Sequence, residues 1–334
     1  MPMRTATTEK ASRFRPAGRV GTRLSAFLGP LVLVGMVVAA SLLSPYFLRL
    51  SNISNVLRQV AENGIIAVGM TLVILTGGID LSVGSVLALT NCLAAGLLVH
   101  SGQPLWVVVP LVLAAGVAMG VANGGTIARA RIEPFVVTLA MMSVARGLAY
   151  IYSGGRPIVI PEEPATAGFL RLGQDIPVSP EWGIPVPALF FLAAAALGAL
   201  LLRHTAVGRR IFAIGGNREA ARLSGIPVGL TLVTVYGICG LLSALAGLLH
   251  ASMLNCGHPN EGVGLELNAI AATVIGGTSL AGGAGSVGGT VIGAMIIGIL
   301  NNVLQLRDVN PYVQMLLKGL VIVLAVMAQR ARKR

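Results

Sequence analysis

Asp80 sits where an apolar chain would least tolerate a charge, in Gly77-Gly78-Ile79-Asp80-Leu81-Ser82-Val83-Gly84 between two long apolar runs. A carboxylate at a bilayer centre costs about 2.5–3.5 kcal/mol on insertion scales, so its placement calls for a reason. The flanking residues read as a helix start, where an aspartate caps free N–H groups and complements the positive helix end. With Ser82 beside it, the same carboxylate could also be a gate or polar contact in a transport path, and the two roles are compatible. Arg146 lies deep in another apolar run and either requires a carboxylate or carbonyl partner or snorkels to an interface; Lys318 poses the same choice. Asn91, Asn123, Asn301, Asn302 and Gln305 are neutral polar groups in or at the ends of apolar runs. They either hydrogen-bond between helices or line a sugar-sized path.

A second constellation is basic. It reads Ile214-Gly215-Gly216-Asn217-Arg218-Glu219-Ala220-Ala221-Arg222-Leu223-Ser224-Gly225-Ile226-Pro227. Asn217 followed by Glu219, Ala220 and Arg222 predicts a short capped helix, ended by Gly225, Ile226 and Pro227. Such a helix beneath a membrane domain could dock in a groove of a partner, or the arginines could merely fix topology. Other chemistries are missing. No lysine stands in a G-x-x-x-x-G-K-[ST] frame, so the chain has no phosphate loop of its own. His100, His204, His250 and His258, with Cys92, Cys239 and Cys256, show no metal-ligand spacing. No Gly-x-Ser-x-Gly elbow or paired acidic cluster marks a hydrolase.

The elements that must position these residues follow from composition. Of 334 residues, 55% are hydrophobic and only 11% charged, with a mean hydropathy of +0.83. A soluble surface needs roughly 25% charged residues, so most of this chain is solvated by lipid. The fold class expected is an all-α polytopic membrane protein. Ten spans of about 20 residues are readable: 24–43, 59–76, 79–99, 105–127, 134–153, 185–202, 229–253, 266–283, 286–306 and 312–328. The junctions at 77–80 and 276–285 are so short that each is a tight hairpin or a broken, re-entrant helix. They also echo one another, since GGIDLSVG at 77–84 and GGTSLAGG at 276–283 share Gly, Gly, Leu and Gly. A duplicated transporter half would leave such a trace, as would shared small-residue packing.

The net charge of +12 does not indicate nucleic acid, because the basic residues cluster at the ends of apolar runs. With the N-terminus inside, seventeen basic residues fall on inner segments and five on outer ones. This predicts both termini in the cytoplasm. The domain plan is a basic extension at 1–23, a membrane domain at 24–328 with an inner loop at 203–228, and a basic tail at 329–334. The first apolar run exceeds the 7–15 residues of a signal peptide and more spans follow, so Ala39-Ala40-Ser41 is not read as a cleavage site.

Three blocks together carry a resemblance: TGGIDLSVGSVLAL at 76–89, GNREAARLSGIP at 216–227 and IGGTSLAGGAGSVGGTVIGA at 275–294. With them the chain resembles, from about Leu24 onward, the permease subunits of ribose-type ABC importers, in the wider superfamily that also holds branched-chain amino-acid permeases. The resemblance implies a permease homodimer in the bacterial inner membrane, surrounded by lipid, above a cytoplasmic ABC ATPase subunit that binds the ATP and Mg; this chain would carry no cofactor. It implies a periplasmic solute-binding protein meeting the outer loops 44–58, 154–184 and 254–265. It further implies that Gly216, Asn217, Glu219, Ala220, Arg222, Gly225 and Ile226 form the loop that couples to the ATPase. The solute would be a monosaccharide, ribose or a related sugar or polyol. Asp80, Ser82, Asn91, Asn123, Arg146 and Asn301 are the candidate pathway residues. The competing reading is an ion-gradient-driven carrier using Asp80, Arg146 and Lys318, which would need no docking helix.

Overall fold

The computed structural model describes residues 19–179, 182–310 and 312–317, together with 319, 320, 323 and 327, and for 19–28 the backbone course only. Lys318, residues 1–18 of the basic extension and the tail beyond 327 lie outside the described residues, as does part of the tenth expected span. The helices are α1 (Arg19–Leu43), α2 (Leu50–Leu75), α3 (Val83–Val99), α4 (Leu105–Ala130) and α5 (Pro134–Ser153). A strand β1 (Ile158–Val159), the helix α6 (Pro164–Leu170) and the strands β2 (Asp175–Ser179) and β3 (Trp182–Pro185) fill the long connection that follows. Then come α7 (Val186–His204), α8 (Ala206–Gly216), α9 (Arg218–Leu223) and α10 (Val228–Leu254). The strand β4 (Cys256–Gly257), α11 (Leu265–Ile275) and α12 (Val287–Leu306) complete the described chain.

Six of these helices are long and apolar enough to cross a membrane, and α1, α3 and α11 contribute shorter apolar stretches. An all-α polytopic architecture is therefore what the chain builds, with two small antiparallel pairs, β1–β4 and β2–β3, as trim at one end. Several boundaries differ from expectation. The second span starts at Leu50 rather than 59 because Asn52, Asn55 and Arg58 lower the local hydropathy without interrupting the helix. The eighth span divides into an 11-residue helix and a glycine-rich turn, since α11 stops at Ile275. A helix that short reaches only about half of a bilayer core. The strands at 158–159, 175–179 and 182–185 fall in what reads as an irregular loop.

Helices α2 and α10 form the centre. Ile65, Ile66, Met70 and Leu72 to Leu75 of α2 are fully buried, as expected of a helix apolar on every side. α2 packs on α7, α10, α11 and α12, and α10 packs in addition on α3 and α4. The outer helices point Trp106, Ile151 and Leu197 away from the protein, where lipid replaces water.

The α4–α10 contact depends on glycine. Gly116, Gly120 and Gly124 recur every four residues on one face of α4, and a Cβ on any of them would overlap backbone of α10 at Gly240, Tyr236 or Val233. This spacing lets two membrane helices approach backbone to backbone. Gly125, one position round the helix, faces open space. Gly120→Ala should therefore cost about 1–3 kcal/mol and Gly125→Ala nothing, as read by thermal unfolding in mild detergent.

Candidate functional site

The break between α2 and α3 is built from Thr76 to Ser82. Thr76 donates its hydroxyl to the Val73 carbonyl at 2.7 Å and ends α2. Gly77 then takes φ +81°, a turn that a side chain would strain. Asp80, 2% exposed, accepts from the Ser82 amide at 2.9 Å and the Ser82 hydroxyl at 2.6 Å. Asn123 of α4 donates to Ser82 Oγ at 3.1 Å, and Asn123 and the Cys239 thiol of α10 also reach the Asp80 carboxyl. Thr138 of α5 donates to the Ile79 carbonyl at 3.2 Å. Asp80, Ser82 and Asn123 thus form one buried polar knot that opens α3. Its donors are uncharged, and Asp80 makes no ion pair among the described residues.

The second break, Gly276 to Ser286, lies against the first. Gly277, Gly282 and Gly283 have positive φ, and the Ser286 hydroxyl caps α12 by accepting from the Gly289 amide at 3.1 Å. The Gly283 amide donates to the Leu75 carbonyl, the last of α2, at 3.0 Å. The two echoed segments therefore meet in space. Gly215, near the end of α8, is pressed into the same junction, where a Cβ would overlap both the Leu75 carbonyl and the Gly283 amide.

Beyond Gly215 the chain forms α9 in the form the sequence predicts. Asn217 Oδ1 accepts from the Ala220 amide at 2.9 Å. At the other end Ile226 donates to the Ala221 carbonyl at 3.1 Å, with Gly225 at φ +79°. Arg222 makes two bonds to Glu219, at 2.6 and 3.1 Å, and holds that carboxyl below the usual carboxylate range. Leu223 is 75% exposed at the tip. A cleft of about 700 Å³, lined by Arg131, Glu133, Arg218, Glu219 and Arg222, runs beside α9. A smaller cavity of about 250 Å³ lies between Gly77, Gly78 and the Gly215–Arg218 turn.

At the opposite end of the bundle, Arg146 donates to two backbone carbonyls, Pro259 at 2.5 Å and Glu261 at 2.7 Å. Asn91 Oδ1 accepts from the His258 amide at 2.9 Å, and Tyr150 meets Asn260 at 2.5 Å. These two candidate residues thus clamp the 258–261 loop, away from Asp80. Asn301 stands apart from both groups, its Oδ1 buried with no hydrogen-bond partner among the described residues. Sequence reasoning missed the charged cluster beneath the loop, in which His250 of α10 lies 3.0 Å from Glu62 of α2 and 3.3 Å from Glu261. Glu62 and His250 inside apolar runs were the available signal. No group of three or more His, Cys, Asp or Glu suited to a metal ion occurs among the described residues.

A bundle of apolar helices, two of them broken and set back to back against an exposed capped helix, defines an integral membrane transport subunit. The chain belongs to the family described as branched-chain amino acid transport system / permease component, which it matches over residues 52–326. It is 45% identical to the ribose import permease protein of Haemophilus influenzae, covering 93% of this chain and 94% of that one. With the ribose import permease protein of Bacillus subtilis the identity is 46%, covering 93% of each. The xylose transport system permease protein of Escherichia coli is 38% identical, covering 86% of this chain and 87% of the other. No solved structure matches.

The loop clamp generates a direct expectation. A hydrogen bond from a charged donor contributes roughly 1.5–3 kcal/mol, so Arg146→Met should raise amide exchange in residues 258–262 by at least about tenfold. Exchange in α2 should not change. Mass-resolved hydrogen exchange of the purified protein measures both.

Proposed function

We propose that this chain is the membrane-spanning permease subunit of an ABC importer for a monosaccharide, ribose or a related sugar or polyol. The observation that carries the reading is the seating of α8, at Gly215, against both breaks, with the exposed α9 directly after it, in a chain that matches ribose import permeases along nearly its whole length. An ion-driven carrier needs no such exposed helix beside a polar cleft. The buried Glu62–His250–Glu261 cluster is the feature such a carrier would use. Uptake that survives collapse of ion gradients but needs internal ATP separates the two.

In this reading α9 enters a groove of a cytoplasmic ATPase subunit, which binds ATP and Mg. The α8–α9 end then faces the cytoplasm, both termini lie on that side, and ten spans cross the bacterial inner membrane. The 203–228 segment is the coupling loop of the 24–328 membrane domain. A solute-binding protein delivers the sugar at the opposite face, and two permease copies pair within the lipid. Closure of the ATPase domains displaces α9. Because Gly215 touches both Leu75 and Gly283, that displacement reaches both breaks together and alternates access between the two sides. Asp80, Ser82 and Asn123 keep the start of α3 attached to the first break while it moves.

The combined substitution Asn217→Ala, Glu219→Ala and Arg222→Ala should abolish ATP-dependent uptake and the copurification of the ATPase subunit. The isolated permease should remain folded, because the three side chains are exposed and the lost Asn217 cap costs about 0.5–2 kcal/mol, confined to α9. Normal uptake by this variant would exclude α9 as the coupling helix.

A further inference from the structure

The α2 and α12 helices begin and end, at the face opposite α8–α9, with carboxamides in helical register. On α2 they are Asn52, Asn55 and Gln59, at i, i+3 and i+7; on α12 they are Asn302 and Gln305. These positions turn toward one another. Asn52 Nδ2 donates to Asn302 Oδ1 at 3.0 Å, and Asn302 Nδ2 returns a bond to Asn52 Oδ1 at 2.8 Å. Gln59 donates to Gln305 at 2.9 Å. Beside these pairs lies a cavity of about 330 Å³, with Met253 and Leu306 as its apolar patch. Its one charged lining residue, Arg58, is engaged by Asp175 at 2.6 Å. That ion pair and a bond from Ser54 to the Gly183 carbonyl at 2.8 Å fasten the β2–β3 hairpin as a rim.

We propose that this amide-lined cavity is the entry site at which the permease itself recognises an uncharged polyhydroxylated solute. The proposal rests on the importer reading and adds a residue-level site to it. Each carboxamide offers donors and an acceptor carbonyl, which matches hydroxyl groups that both give and take hydrogen bonds. Arg58 is shared with Asp175, and no carboxylate lines the cavity to pair with the ammonium of an amino acid. The volume sits at the low end of small-molecule pockets, roughly 300–1,000 Å³, which suits a monosaccharide. The reciprocal amide pairs also set the affinity. A solute hydroxyl exchanges an amide–amide bond for an amide–hydroxyl bond, so binding is nearly balanced, as a conduit requires if its cargo is to leave.

Asn55 is exposed, which makes it the position at which to test the site. The experiment uses the assembled importer in proteoliposomes with internal ATP, and uptake of D-ribose, D-xylose and L-leucine is followed. Asn55→Trp should cut sugar uptake at least tenfold while the ATP hydrolysis stimulated by loaded binding protein stays within twofold. To separate blockage from misfolding, Asn55→Cys is made with Cys256→Ser. Cys92 and Cys239 are buried, so a bulky impermeant maleimide added outside should attack position 55 alone. Uptake by the same preparation should fall at least tenfold on alkylation, measured against its own unalkylated level. Unchanged sugar uptake in the alkylated protein overturns the entry site and leaves the importer reading standing. A wild type that moves L-leucine and neither sugar overturns both the site and the sugar reading.

Discussion

Backbone polar groups inside a bilayer must find partners within the protein, and this constraint shapes the whole molecule. Two spans are broken near one end, and each break frees amides and carbonyls that lipid cannot satisfy. The breaks answer each other. The last carbonyl of α2 takes the Gly283 amide of the second break, while Asp80 takes the Ser82 amide that opens α3. Contact that close excludes side chains, which is why glycine stands at 215, 282 and 283, while Gly77 is required by its positive φ. The high glycine content of the chain is thus in part the cost of irregular backbone in a membrane.

The two ends of the bundle are held by different physics. Near α8–α9 the contacts are backbone to backbone and uncharged, so they transmit displacement without breaking ion pairs. At the opposite end Arg146, His250, Glu62 and Glu261 tie the 258–261 loop to α2, α5 and α10 through charge and charge-assisted bonds. Removing one member of such a cluster strands the others in a low-dielectric setting, which makes the arrangement all-or-none. Glu62 and His250 are therefore to be understood as a set with Glu261 rather than as separate oddities in apolar helices.

How much of this was legible depended on the separation between partners. The α9 helix was readable because its caps, Asn217 and Gly225, lie within the same nine residues. A polar anchor at Asp80 was readable for the same reason, its partner Ser82 being two positions away, but the cap position of α3 is Ser82 rather than Asp80. The all-α polytopic class came from local hydropathy. Asn52 pairs with a residue 250 positions distant, and Glu62 with another in a different helix; no local pattern announces either. The polar face of Asn52, Asn55 and Arg58 even hid the true start of α2, because hydropathy averaging treated it as a loop. The likeness of the two echoed breaks announced neither their meeting nor the insertion of Gly215 between them.

The central helix ties the two sites into one device. α2 has 26 residues, so it is about 39 Å long at 1.5 Å per residue. Asn52 and Asn55 stand at its first turns beside the amide-lined cavity, and Leu75 at its last accepts the bond from the second break. Between them the helix is buried against α7, α10, α11 and α12, and close-packed interiors shift as bodies rather than deform smoothly. A push on Gly215 that moves the Leu75 end must therefore move the Asn52 end as well or shear α2 past its neighbours. Either motion alters the Asn52–Asn302 and Gln59–Gln305 pairs, because their partners belong to α12. The reciprocal amides thereby become the part of the outer end most sensitive to events at the α8–α9 end. Their neutral, balanced chemistry lets them open without leaving a charge unpaired.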